Sequence, residues 1–326
     1  MEKAFPYLSC CKLYFNKMLK YSFLCVLLVF LLFQSCRERE LGIELPYSGS
    51  QLFIYSELSP DKVVNLYLNQ TYPPTGKFTV KQGLEGAEVN LLENGIFKEQ
   101  LTYSDSGIYV SKIGLKPKVD SFYSFEVKLK GYPDANTQAV EIPHSVINPN
   151  VILSKNTIPS INMGTTGGVA RKLDLVWEDE KGRVNNYLAV IEGEYQNQYL
   201  GINSYIIGKD SEMEDGCNFR RNRNHYLFRD ICFSSHEFKE SLALDLSGFI
   251  QNLPTSYTGS RLRNVDTYKV SISNVSQSYF RWLQDELQPE DIFLAFQLPK
   301  SRFSNVNNGY GVVIASNTTT FYLSAK

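Results

Sequence analysis

The chain has 326 residues, 43% of them hydrophobic and 21% charged, with a formal net charge of −1. That balance excludes an intrinsically disordered chain and a polybasic nucleic-acid binder, and a single short apolar stretch excludes a polytopic membrane protein. Aromatic residues reach 13%, with 21 Tyr and 20 Phe against 2 Trp and 3 His, a bias toward half-buried pleated surface.

The N-terminal 35 residues read as an export address. Lys17 and Lys20 precede an uncharged apolar run, Tyr21 to Phe33. About 20 residues are needed to span a bilayer, so this run has the length of a signal-peptide core. It ends at Phe33-Gln34-Ser35-Cys36, where a small residue directly precedes a cysteine, the pattern of a bacterial lipobox. Cleavage before Cys36 and acylation of its thiol and new N-terminus attach several acyl chains to one residue, enough for stable anchoring in membrane lipid. Residues 36–46 then form a tether, opening with the mixed-charge run Arg37-Glu38-Arg39-Glu40. Cleavage leaves 29 basic and 33 acidic residues, net −4, which argues against electrostatic capture of nucleic acid.

Residues 47–143 carry short β-prone runs separated by turn residues. Gln51 to Leu58 and Lys62 to Leu68 flank Ser59-Pro60-Asp61. Ala87, Val89 and Leu91 alternate with polar residues up to Asn94-Gly95, the strongest short hairpin signal. Tyr123, Phe125, Val127 and Leu129 alternate in the same way before Gly131-Tyr132-Pro133. About seven short strands with regular turns predict a small β-sandwich of immunoglobulin or transthyretin-like type. Residues 144–157 are rich in turn formers and read as a connector.

Residues 158–326 are expected to form a second β-rich domain with one helix. Leu173, Leu175 and Trp177 alternate, as do Tyr268, Val270 and Ile272. The helix is expected over 275–287, with Asn274 as its N-cap and Gln277 completing a capping box. Tyr279, Phe280, Leu283 and Leu287 form its apolar stripe, and Pro289 ends it. Ser304 to Ser316 leads through a Gly-Asn turn into a closing strand.

Candidate chemistry is sparse. After cleavage only Cys217 and Cys232 remain, and an even pair in an exported chain reads as a disulfide. It would close a loop of about 16 residues and contribute about 3 kcal/mol. Two free thiols are the first alternative, and metal binding with His225 and His236 the weakest, because the spacing lacks the paired short intervals of zinc modules. Within the loop, Arg220, Arg221 and Arg223 with Tyr226 are candidates for gripping a phosphate or sugar acid, or else simply solubilise an exposed loop. The acidic stretch Asp210 to Gly216 departs from the order of a calcium loop, and Met163 to Gly168 lacks the lysine of a phosphate loop. No catalytic motif, cofactor or resident metal is expected, so the chain reads as non-enzymatic.

Several segments resemble the DUF4249 family, lipoproteins of Bacteroidetes-type bacteria. They are the stretch from Cys36 to Leu45-Pro46, Leu84 to Gly95, Gly131 to Pro133 with Glu141 to Pro143, and Val270 to Leu287 followed by Ser304 to Ser316. The resemblance implies an accessory or binding lipoprotein at the outer membrane, partnering a TonB-dependent receptor in nutrient capture. A surface adhesin or structural sandwich module is the alternative, with a glycan-active enzyme behind it. The family pattern carries no catalytic residue to transfer.

Overall fold

The computed structural model describes residues 47, 49–73, 83–159, 169–180, 182–195, 198–202, 204–207, 218–222, 224–230, 237–245, 265–286 and 302–324. The N-terminal third forms β1 (Leu52–Leu58), β2 (Asn65–Gln70), β3 (Glu88–Glu93), β4 (Ile96–Gln100), β5 (Thr102–Tyr103), β6 (Ile108–Val110), β7 (Phe122–Lys128), β8 (Ala135–Thr137) and β9 (Val140–Glu141). There follow β10 (Ile147–Pro159), β11 (Val169–Glu178), β12 (Asn186–Tyr195), β13 (Gln198–Gly201), β14 (Ser204–Ile206), β15 (Asn218–Asn222), β16 (His225–Arg229), β17 (Glu237–Asp245) and β18 (Thr267–Val275). The helix α1 (Gln277–Glu286), β19 (Val306–Asn307) and β20 (Tyr310–Ser324) complete the described chain. The protein is mainly β, as its composition and alternation predict.

The strands form three sheets. A ten-stranded sheet runs in the order β15-β16-β12-β18-β20-β1-β2-β6-β5, with β13 hydrogen-bonded to β12. A six-stranded sheet (β19-β8-β7-β3-β4, with β9 on β7) and a four-stranded sheet (β10-β11-β17-β14) complete the set. The first core joins Leu52 and Ile54 of β1 and Leu66 of β2 to Val89 of β3 and Phe125 of β7. The second joins Ala189 of β12 and Val270 of β18 to Leu173 of β11 and Leu242 of β17. Two sandwiches therefore share one long sheet, and apolar residues of alternating positions meet across each interface.

β20 belongs to both halves. It pairs in parallel with β1, Ile54 opposite Gly311, and antiparallel with β18, Tyr268 opposite Leu323. Val313 and Ala315 lie in the first core, while Phe321 and Leu323 pack against the second. A strand of 15 residues reaches across both because each residue advances about 3.3 Å.

The alternations read from the sequence hold in place. Tyr123, Phe125, Val127, Leu173, Leu175 and Trp177 are fully buried. Asn94 (φ 53°) and Gly95 (φ 76°) turn the chain between β3 and β4, the geometry that two-residue hairpin loops require.

Two expectations are corrected. The stretch expected as a connector, 144–157, lies largely in β10, which pairs with β11. Its turn formers are absorbed as irregularities: Asn148 takes φ 45°, and the register shifts between Ile147 and Asn150 and between Leu153 and Thr157. The helix begins at Gln277, not at residue 275, and its cap is Ser276, not Asn274. Val275 and Asn274 remain paired with Ser316 and Asn317 of β20. The Ser276 hydroxyl accepts from Tyr279 N at 3.3 Å, and its carbonyl accepts from Phe280 N at 3.0 Å.

The helix packs where the stripe directs it. Phe280 and Leu283 are buried against Leu188 of β12 and Leu227 of β16. These point away from Tyr187, Ala189 and Phe228, which enter the second core. α1 thus covers the other side of the ten-stranded sheet, and Trp282 reaches Tyr55 of β1 with ring centroids 6.4 Å apart.

Candidate functional site

The start of α1 lies beside a set of buried amides contributed by β12, by the residue just before it and by β18. Asn185, Asn186 and Asn274 are all buried. The backbone N–H of Asn185 donates to Asp230 Oδ2 at 2.5 Å, and its Nδ2 donates to Asp179 Oδ1 at 3.3 Å. Asn274 Nδ2 donates to Asn185 Oδ1 at 3.0 Å, and the Tyr187 hydroxyl donates to Asp179 at 2.6 Å. Burial first, then the neighbouring Asp179 carboxylate, push the Tyr187 phenol far above its ordinary pKa, so it stays protonated and can donate to Asp179. Asn186 Nδ2 donates to Gln277 Oε1 at 3.3 Å, while its Oδ1 is buried without a hydrogen-bond partner among the described residues.

Ser276 fixes the helix start against the sheet. Besides capping α1, its hydroxyl accepts from Ala315 N at 3.0 Å, and its own N–H donates to Ala315 O at 2.9 Å. Side chains at residues 276–278 are thereby held in one position relative to β12, β18 and β20.

These residues floor a cleft of about 530 Å³. Its walls come from Gln138 to Glu141, from Pro143 and His144, from Arg183 and Val184, and from Arg281, Phe303 and Asn305. Phe122, 44% exposed, and Val184, 64% exposed, give it apolar surface. The volume falls in the range of small-molecule sites, roughly 300–1,000 Å³. Asn305 is structural: its amide bonds both the N–H and the carbonyl of Val313 at 2.8 Å.

One rim carries an ion-pair cluster. Arg183 contacts Asp120 at 2.6 Å, Glu141 at 3.5 Å and Glu180 at 3.8 Å. His144 contacts Asp120 through Nε2 at 2.7 Å and Glu180 through Nδ1 at 3.0 Å. His144 first, then Arg183, hold the Asp120 carboxyl below the usual carboxylate range, and Asp120 in turn raises the Arg183 guanidinium. Each carboxylate of this rim is thus engaged by a cation. Chemically, the cleft offers fixed amide, hydroxyl and guanidinium groups beside apolar wall, which is the composition of a binding site. Among the described residues, no group of three or more His, Cys, Asp or Glu side chains is arranged to hold a metal ion.

Of the anchor, disulfide and grip residues predicted from the sequence, Tyr226 alone has a described side chain. Cys36, Cys217, Cys232 and Arg223 lie outside the described residues, as do the side chains of Arg220 and Arg221. Arg220 sits on β15 opposite Tyr226. Tyr226, expected in an exposed grip, lies in the second core, with its hydroxyl donating to Ser204 Oγ at 2.8 Å. Its strand is covered on both sides, Leu227 by α1 and Tyr226 and Phe228 by the core. Of the residues that line the cleft, Asn274 and Gln277 stand out in the sequence only as helix-capping residues, and none as a ligand contact. The only other sequence signal is the pair Asn185-Asn186 at the head of an otherwise apolar strand, since buried amides demand partners.

The model for a domain of unknown function, DUF4249, matches residues 38–321. The chain belongs to the DUF4249 family. Among curated proteins, no relative matches. Loose similarities to solved structures include the following two. One is a protein from Corynebacterium diphtheriae provisionally described as membrane-anchored: 10% identity, 72% of this chain, 56% of that chain, TM-score 0.19. The other is a protein from Bacteroides uniformis provisionally described as carbohydrate-binding: 14% identity, 69% of this chain, 89% of that chain, TM-score 0.20. Neither superposition constrains fold or function at those scores. No helix among the described residues is long and apolar enough to cross a membrane.

Proposed function

We propose that this DUF4249 protein is a lipid-anchored binding lipoprotein of the outer membrane, acting beside a TonB-dependent receptor in nutrient capture and without catalysis. The anchor is Cys36, and the double sandwich presents the cleft at the head of α1. The observation that carries the binding role is the fixed polar floor. Asn185, Asn274 and Ser276 are locked by hydrogen bonds, so a ligand meets groups that need little further ordering. Membership of DUF4249 and the signal-peptide core ending at Cys36 support the location.

The partnership is tested by extracting the tagged full chain from its own cells in mild detergent and identifying what accompanies it. A β-barrel receptor recovered in near-stoichiometric amount is the expected result. A chain recovered alone across several detergents overturns the partnership.

A further inference from the structure

The groups that remain unbonded at the cleft define the ligand it takes. The first four N–H groups of a helix lack intrahelical acceptors and carry partial positive charge. In α1 two of them, at Tyr279 and Phe280, are bonded to Ser276. Those of Gln277 and Ser278 have no partner among the described residues, and the first turn contains no acidic side chain to balance them.

Arg281, one turn further on, lines the same cleft. Its guanidinium lies 6.0 Å from the Phe303 ring centroid, and it makes no ion pair among the described residues. It differs in this from Arg183 on the rim, which three carboxylates surround.

A second observation is independent of the helix. Asn186 is 2% exposed and lines the cleft, and its Oδ1 is a buried acceptor with no donor among the described residues. Native structures seldom leave such an oxygen unpaired, and a ligand hydroxyl is a donor of the right kind.

We propose that the cleft binds a small hydroxylated oxyanion, a sugar acid or a sugar phosphate. The oxyanion sits on the N-terminus of α1 and on Arg281, and a hydroxyl donates to Asn186. Both anions have the shared chemistry of oxygens that accept from N–H groups and from a planar guanidinium. Phe303 supplies an apolar surface for the ring, and about 530 Å³ accommodates a monosaccharide. This assignment rests on the reading of the chain as a binding protein.

The test is isothermal titration calorimetry of the mature full chain with three probes: galacturonate, galactose 1-phosphate and galactose. At least one charged probe is expected to bind 1:1 and tenfold or more tightly than galactose. Added salt should weaken that probe and leave galactose unchanged. Which of the two charged probes binds tells carboxylate from phosphate. Arg281→Gln should remove the charged probe's advantage and Arg281→Lys should restore part of it, with the unfolding midpoint unchanged because Arg281 is exposed. Galactose binding as tightly as both charged probes overturns the oxyanion and leaves a binding protein standing. Unaltered affinity in Arg281→Gln overturns it as well. If none of the three binds while the receptor still co-purifies, the ligand class is wrong and the envelope partnership survives.

Discussion

Gly311 lies opposite Ile54 in the parallel pairing of β20 with β1, at φ +112°, and a β carbon added to it would overlap the Ile54 carbonyl oxygen. Only glycine accepts both that dihedral and that approach. Gly311→Ala should therefore cost about 2–4 kcal/mol, through backbone strain and a forced separation of the two strands. Urea unfolding should show a lower midpoint at unchanged slope. A loss below about 0.5 kcal/mol would mean that the strands are not this close.

Ser276→Ala should cost about 2 kcal/mol. It removes the N-cap of α1 and deprives the buried Ala315 N–H of its acceptor. Hydrogen exchange should accelerate at Tyr279 and Ala315 together, because one oxygen serves both amides. Acceleration at Tyr279 alone would show that the contact with β20 is dispensable.

Glu93 gives stability a specific pH dependence. It is buried, with Lys98 at 2.7 Å, the Tyr123 hydroxyl at 3.2 Å and Lys118 at 3.9 Å. The hydrogen bond from Lys98 is the largest influence and lowers its carboxyl pKa, while burial opposes it. A carboxyl depressed in the folded state contributes stability above its unfolded pKa, about 4.3, and loses it as pH falls through the folded value. Glu93→Gln should lower stability by about 1–3 kcal/mol at neutral pH and flatten the acid limb of the profile. Equal slopes below pH 4 in both proteins would place the titration elsewhere.

Tyr226→Phe separates a core role from a ligand role. Loss of the hydrogen bond to Ser204 should cost about 1 kcal/mol and leave ligand affinity at the cleft unaltered. A tenfold weaker ligand with unchanged stability would restore Tyr226 to a binding site.

Cys36→Ala should abolish incorporation of radiolabelled palmitate and leave the chain unprocessed, because the thiol is the acyl acceptor in the proposed anchor. Palmitate incorporation undiminished by the substitution would place the lipid on another residue.

Much of the architecture was legible in period-2 runs. Leu173, Leu175 and Trp177, or Tyr123, Phe125 and Val127, announce their buried sides because a strand turns alternate side chains inward. Reading failed where local chemistry and tertiary pairing disagree. Asn274 looks like a helix cap in isolation, yet its ladder with β20 and its bond to Asn185 hold it in the sheet. β10 was hidden by Asn148, which bends the strand without ending it. The cleft was least visible of all. His144, the pair Arg183 and Asn185, and the pair Asn274 and Gln277 come from three stretches far apart in the chain, and nothing in their spacing indicates that the three converge. Tyr226 was misassigned for the complementary reason: a tyrosine near arginines suggests a surface, and only the partner sheet reveals a core.

The placement of β20 between β1 and β18 also sets an order of events. Synthesis runs from the N-terminus, so β1 waits with an unpaired edge for a strand made some 250 residues later. Both cores stay unfinished until residues 310–324 arrive, and closing so long a loop is slow. A cut within residues 310–324 would free an edge of β1 and an edge of β18 together.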